Sequence, residues 1–238
     1  IEELLMEIRH HYIEKGEGFP LILLHGNGED CSYFEHQIEP FAQHFRVIAI
    51  DTRGHGQTLR GEAPFTIRQF AEDLFAFMNQ RGIAKAHILG FSDGGNIAMV
   101  FALAHPERVE KLILNGANLD ASGVKRAVQI PIEIGYRIAR LFAKRNPKAR
   151  LNAEMLGLMV NDPNVTPDEL SQIQCPTLVI AGNNDMIKDE SGYQYRCYHS
   201  LKPVDIVKVK MKDYINLFEI RNLNEKGLLL PEDLIDFP

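Results

Sequence analysis

The chain is poor in cysteine, has no long apolar run, and carries no histidine in its last stretch. Its three cysteines, Cys31, Cys175 and Cys197, form neither a disulfide framework nor a metal-ligand spacing. They are expected as free thiols in a reducing compartment. No apolar run is long enough to span a membrane. The opening Ile1-Glu2-Glu3-Leu4-Leu5-Met6 has acids where a signal peptide has a basic flank and a long apolar core, so none is expected there. The expected location is cytoplasmic. A net charge of -6 argues against nucleic acid as a partner. Neither a membrane partner nor a metal or cofactor is expected, and the oligomeric state stays open. From Leu201 to Pro238 there is no histidine; the last is His199.

What is present reads as one sizeable globular domain, or one domain with an insertion. The chain has 238 residues, 45% of them hydrophobic and 24% charged, which is ordinary for such a domain. Met6, Ile8, His10 and Tyr12 alternate with charged or polar neighbours, as in a half-exposed early strand, and a turn is expected over Glu14 to Gly18. Leu21 to Leu24, Val47 to Ile50, His87 to Leu89, Leu112 to Asn115 and Thr177 to Ala181 are short apolar runs, the pattern of buried strands. Helical stretches separate them. The first, opened by an expected capping box Thr66-x-x-Gln69, carries an apolar stripe from Ile67 to Met78. Alternating strands and helices predict a parallel sheet with helices on both faces, and active groups belong at the carboxyl ends of its strands.

The rhythm breaks after Asp120. Ile132, Ile134, Ile138, Leu141 and Phe142 suggest one helix, and Met155, Leu156, Met159 and Val160 another, with no buried strand between them. Thr166-Pro167-Asp168-Glu169 is a further capping box, with proline at the first helical position. Residues 121–172 are expected as a helical lid over the strand ends, and 1–120 with 173–238 as the core.

Gly90-Phe91-Ser92-Asp93-Gly94 stands between an apolar strand and a helical stretch. A strand that turns sharply into a helix thrusts its middle residue outward, and residues two positions away must be small. Ser92 is the expected nucleophile. The helix start turns free N–H groups towards the same spot. Upstream, the glycine-rich His25-Gly26-Asn27-Gly28 follows a buried strand, and the Asn27 N–H is a candidate oxyanion donor. Arg53 and His55 are read as turn-fixing groups beneath the site. Asp185 follows a late strand, where the order Ser…Asp…His places its acid. The Asp93 carboxylate has two readings: a partner for a cationic substrate such as an amino-acid ester, or a local cap for backbone N–H groups.

Taken together, His25 to Gly28, Asp51 to Gly56, Gly90 to Gly95, Asn115 to Asn118 and Ala181 to Asp185 resemble the α/β-hydrolase fold family. Within it they are most similar to the small lidded esterase-like, valacyclovir hydrolase-like members. The resemblance spans roughly residues 6 to 189. It implies an eight-stranded, mostly parallel sheet and hydrolysis of an ester or related acyl bond through an acyl-enzyme. It also implies Ser92 as nucleophile, Asp185 as acid, and the N–H groups of Asn27 and Asp93 as the oxyanion hole. The family's base is a histidine after the last strand. Here the one histidine after the acid is His199, fourteen positions beyond Asp185. Two readings follow. One is a serine hydrolase of a small-molecule acyl substrate with His199 as base. The other is a catalytically impaired binding protein that keeps the pocket and lacks the base.

Overall fold

The structure is a computed structural model that describes residues 8–182, 186–187 and 204–209. Among these, seven strands form one sheet. In chain order they are β1 (Tyr12–Lys15), β2 (Pro20–Leu24), β3 (Arg46–Ile50), β4 (Ala86–Phe91), β5 (Val109–Asn115), β6 (Thr177–Gly182) and β7 (Val204–Val209). The spatial order is β1-β3-β2-β4-β5-β6-β7. Only β1 is antiparallel to its neighbour. The expected mostly parallel sheet is therefore present, with seven strands among the described residues where the resemblance implied eight.

The apolar runs are strands because both of their faces are covered. Ile22, Leu24, Ile48, Ile50 and Ile88 point to one side, under α2 (Ile67–Gln80) and α3 (Asp93–Ala104). Leu21, Leu23, Val47, Ala49 and Leu89 point to the other, against α1 (Glu35–Phe41). Successive side chains alternate across the sheet, so a continuous apolar run fills two cores at once. Each fully buried Ile or Leu is worth roughly 1.5–3 kcal/mol of burial. Helix α3 is buried from Asp93 to Ala102, as expected for a helix apolar on all sides.

Two local expectations shift. The early strand begins later, at Tyr12, because it pairs with β3 from Tyr12↔Ile50 to Lys15↔Val47. Glu14 and Lys15 therefore belong to the strand and not to the turn. At α2, Thr66 accepts from the Gln69 N–H at 3.2 Å, but the Gln69 side chain donates to Asp73 instead of returning to Thr66. The Thr166–Glu169 box at α6 (Pro167–Leu170) is complete in both directions.

Between β5 and β6 the chain forms α4 (Arg126–Phe142), α5 (Pro147–Asn161) and α6. The expected helices are there. Helix α4 buries only Gln129, so it is an outer element of the molecule. Strand β2 has β3 on one side and β4 on the other, and the chain leaves β2 and β4 in opposite directions. A crevice opens at such a divergence, at the carboxyl ends of the strands. Leu24 pairs with Gly90, so the loop after β2 begins level with the end of β4.

Candidate active site

Ser92 joins β4 to α3 with φ 51 and ψ -119, a backbone region that costs a non-glycine residue about 1–3 kcal/mol. Its neighbours hold it there. The Ser92 N–H donates to Asn115 O at 2.8 Å, and Gly95 and Asn96 donate to Ser92 O at 2.9 and 3.1 Å. A β-carbon at Gly90 would overlap the Gly94 carbonyl, and one at Gly94 would overlap the carbonyl of Leu24. Both glycines are steric requirements of the turn. Ser92 is only partly covered, and its hydroxyl has no hydrogen-bond partner among the described residues.

The loop after β2 lies against this elbow. A β-carbon on Gly26 would stand 3.2 Å from both Ser92 Cβ and Phe91 Cδ1. Thr52 N–H donates to His25 Nε2 at 3.1 Å, so Nε2 is the bare nitrogen and Nδ1 carries the proton. Nδ1–H then donates to Gly26 O at 2.8 Å. Burial keeps the ring neutral by lowering its pKa, a shift opposed by the bond to Gly26. The carbonyl and N–H of one trans peptide point in opposite directions. Holding Gly26 O inward therefore turns the Asn27 N–H outward, and it has no acceptor among the described residues. The Asp93 N–H, first in α3, has no helical acceptor either.

The Asp93 side chain is buried. Oδ1 accepts from Asn96 Nδ2 at 3.2 Å, and Oδ2 has no hydrogen-bond partner. Loss of solvent raises its pKa to about 6, against the pull of the Asn96 and Asn27 side chains and with a push from Asp162. Asp162 is itself raised, by burial. The sequence reading missed this second carboxylate, which no motif marks. It also missed Asn96, whose side chain joins Asp93 to Asn118 through contacts of 3.0 to 3.2 Å.

Arg53 and His55 sit where a turn-fixing role puts them. Arg53, fully buried, makes two 2.7 Å bonds to Asp73. His55 Nδ1 lies 3.0 Å from Arg53 O, and burial lowers its pKa to about 4. Among the described residues one trio of donors converges: His11, Cys31 and Asp51 lie within 4.8 Å of one another. The Asp51 carboxylate is already occupied, by His11 and by the N–H groups of Cys31 and Gln57 at 2.7 to 2.9 Å. Burial, with Asp51 beside it, pushes the Cys31 thiol up to about 12. That is a hydrogen-bonded brace for the turn and a poor metal ligand set, since a thiol must lose its proton to bind.

Helix α5 reaches the loop after β2. Asn27 Nδ2 donates to Met155 O at 2.8 Å, and Arg60 grips Glu154 through two bonds of 2.9 and 3.0 Å. At the start of this segment Lys125 N–H donates to Met186 O at 2.8 Å, beside a Val124↔Ile187 bridge. Asp185 and His199 lie outside the described residues. No imidazole among the described residues hydrogen-bonds Ser92.

Residues 20–134 match the family model for the alpha/beta hydrolase fold. The chain has the α/β-hydrolase fold. It is 26% identical over 200 residues to (E)-2-((N-methylformamido)methylene)succinate hydrolase of Acinetobacter baylyi, covering 74% of this chain and 76% of that one. It is 31% identical over 189 residues to 2-hydroxy-6-oxononadienedioate/2-hydroxy-6-oxononatrienedioate hydrolase of Burkholderia vietnamiensis. That match covers 77% of this chain and 64% of the relative, so the chain spans less than two thirds of it. The enol-lactonase of Burkholderia xenovorans LB400 shares the fold at a TM-score of 0.73, with 22% identity and 96% and 95% of the two chains covered. No helix among the described residues is long and apolar enough to cross a membrane.

Proposed function

We propose that this α/β hydrolase is a cytoplasmic serine hydrolase that cleaves an ester or related acyl bond of a small molecule. The observation that carries this reading is Ser92 in its strained, partly open elbow, with the outward N–H groups of Asn27 and Asp93 beside it. Ser92 Oγ attacks the carbonyl and its proton passes to a base. The two N–H groups receive the oxyanion, the leaving group departs with a proton, and water cleaves the acyl-enzyme. Chain order assigns Asp185 as acid and His199 as base. Residues 121–172 form the lid, with α5 pinned to the oxyanion loop. The bare Asp93 Oδ2 pairs with a cationic group on the substrate, such as the ammonium of an amino-acid ester.

The test is turnover of short p-nitrophenyl esters, with labelling by a fluorophosphonate probe. Ser92→Ala is expected to abolish both while leaving the melting temperature nearly unchanged. Activity within tenfold of wild type in Ser92→Ala refutes the nucleophile assignment. Asp93→Asn is expected to erase a preference for amino-acid esters over neutral esters of equal size.

A second reading, an impaired binding protein, rests on the sequence: no histidine follows His199, where the family's base would lie beyond the last strand. Under that reading the wild type fails to label. Labelling lost in His199→Ala supports the triad.

A further inference from the structure

We propose that α4 docks on an anionic lipid surface. Ile130, Ile134, Ile138, Leu141 and Phe142 are all exposed on α4, Leu141 at 78% and Phe142 at 59%. At ~100° per residue the first four fall within a quarter turn, with Phe142 at its margin. This outward stripe is unusual on a protein surface and marks an interaction site.

Basic side chains flank it. Arg126, Arg137, Arg140 and Lys144 fall along one border of the stripe, and Arg145 and Lys148 follow in the next turn, all exposed. From Lys125 to Arg150 there are eight basic residues and one acid, Glu133, a local charge of +7 in a chain of net -6. Among the described residues Glu133 answers only Arg137, at 4.0 Å. Arg126, Lys144, Arg145 and Lys148 have no acidic partner among the described residues. The total charge thus conceals a strongly basic face, and the expectation that no membrane takes part rested on the lack of spanning runs, which does not bear on a helix lying at a surface.

Charge and shape select the occupant. A second copy of this chain would bring one +7 face against another. The stripe stands on an outer helix that buries only Gln129, and an exposed apolar row of that kind suits a deformable apolar medium. Apolar side chains that enter the acyl boundary, with arginines and lysines reaching back to anionic headgroups, are the geometry of an interfacial amphipathic helix. The rest of the chain, net acidic, is repelled by such a surface, so α4 approaches first.

The test uses the whole chain and vesicle flotation. Vesicles of phosphatidylcholine with about 30% phosphatidylglycerol are compared with pure phosphatidylcholine. Binding at least tenfold tighter to the anionic vesicles is expected, and it is lost between about 0.1 M and about 0.5 M salt. Leu141→Ser with Phe142→Ser, and separately Arg140→Gln with Lys144→Gln and Arg145→Gln, should each reduce it tenfold or more, with unchanged melting temperatures as the control for folding. The chain has no tryptophan, so Phe142→Trp supplies a single reporter whose emission should shift to the blue with anionic vesicles alone. No binding, equal binding to neutral vesicles, or binding indifferent to both sets of substitutions overturns the proposal. A dimer that Leu141→Ser with Phe142→Ser dissociates also overturns it, in favour of a second copy.

Discussion

His25 donates through Nδ1 to the carbonyl oxygen of the next residue, Gly26, at 2.8 Å, and so decides which way the Asn27 N–H faces. His25 touches no reacting atom under the proposed mechanism; it is a positioning residue. His25→Ala should lower kcat about 10²-fold, the usual scale for losing one oxyanion donor, with KM changed little. A rise in KM at constant kcat would show that the loop binds substrate and does not orient the donor.

Asp93 links the site to pH. Its pKa is raised from 3.8 to about 6 by burial, so the folded state resists its ionisation. Stability is full below about pH 4 and falls as pH rises through 6. Asp93→Asn removes that loss. The variant should equal wild type near pH 4 and exceed it near pH 8 by on the order of 2–3 kcal/mol. Urea denaturation at both values checks it, and an equal effect at both contradicts the buried-charge origin.

Ser92 stores backbone strain. Glycine adopts its φ 51 without the β-carbon penalty, whereas alanine does not. Ser92→Gly is expected to stabilise the fold by about 1 kcal/mol, the strain relieved less the entropy glycine loses on folding. Ser92→Ala should stay near wild type. Thermal melts of the pair separate strain from loss of the hydroxyl.

Arg53 and Asp73 form a two-pronged pair with side chains 1% and 10% exposed. Arg53→Met leaves a buried carboxylate unpaired and should cost about 3–5 kcal/mol, while Arg53→Met with Asp73→Leu should recover most of it. A double variant as weak as the single one would place the cost in packing rather than charge. Chemical denaturation gives both values.

The elbow was legible because its causes are local: the glycines two positions either side of Ser92 are required by contacts within the same turn. The parallel sheet was legible because its strands are apolar without interruption. The face that α4 turns outward was not, since a stripe spaced at Ile134, Ile138 and Leu141 says that these residues share a side and nothing about which side meets the core. The approach of Asp162 to Asp93 depends on how α5 returns to the sheet, which no spacing records. The half-made box at Thr66 failed for a similar reason. Gln69 had a second acceptor in Asp73, a carboxylate fixed there by Arg53. At Glu169 the rival, Arg68, stays 3.8 Å from Oε1, and Oε2 is left to close the box with the Thr166 N–H at 2.8 Å.

The attachments of residues 121–172 are uneven. Helix α5 is fastened at Met155 and Glu154 to two core loops, while α4 meets the core near its first residue, through Lys125, and otherwise rests on α5, where Gln129 Nε2 donates to Met159 O at 3.4 Å and Asn161 Nδ2 to the Tyr136 hydroxyl at 3.2 Å. A rafter carried by its neighbour has no footing of its own. Whatever loosens α5 from the loops that bear Asn27 and Arg60 therefore loosens α4 with it.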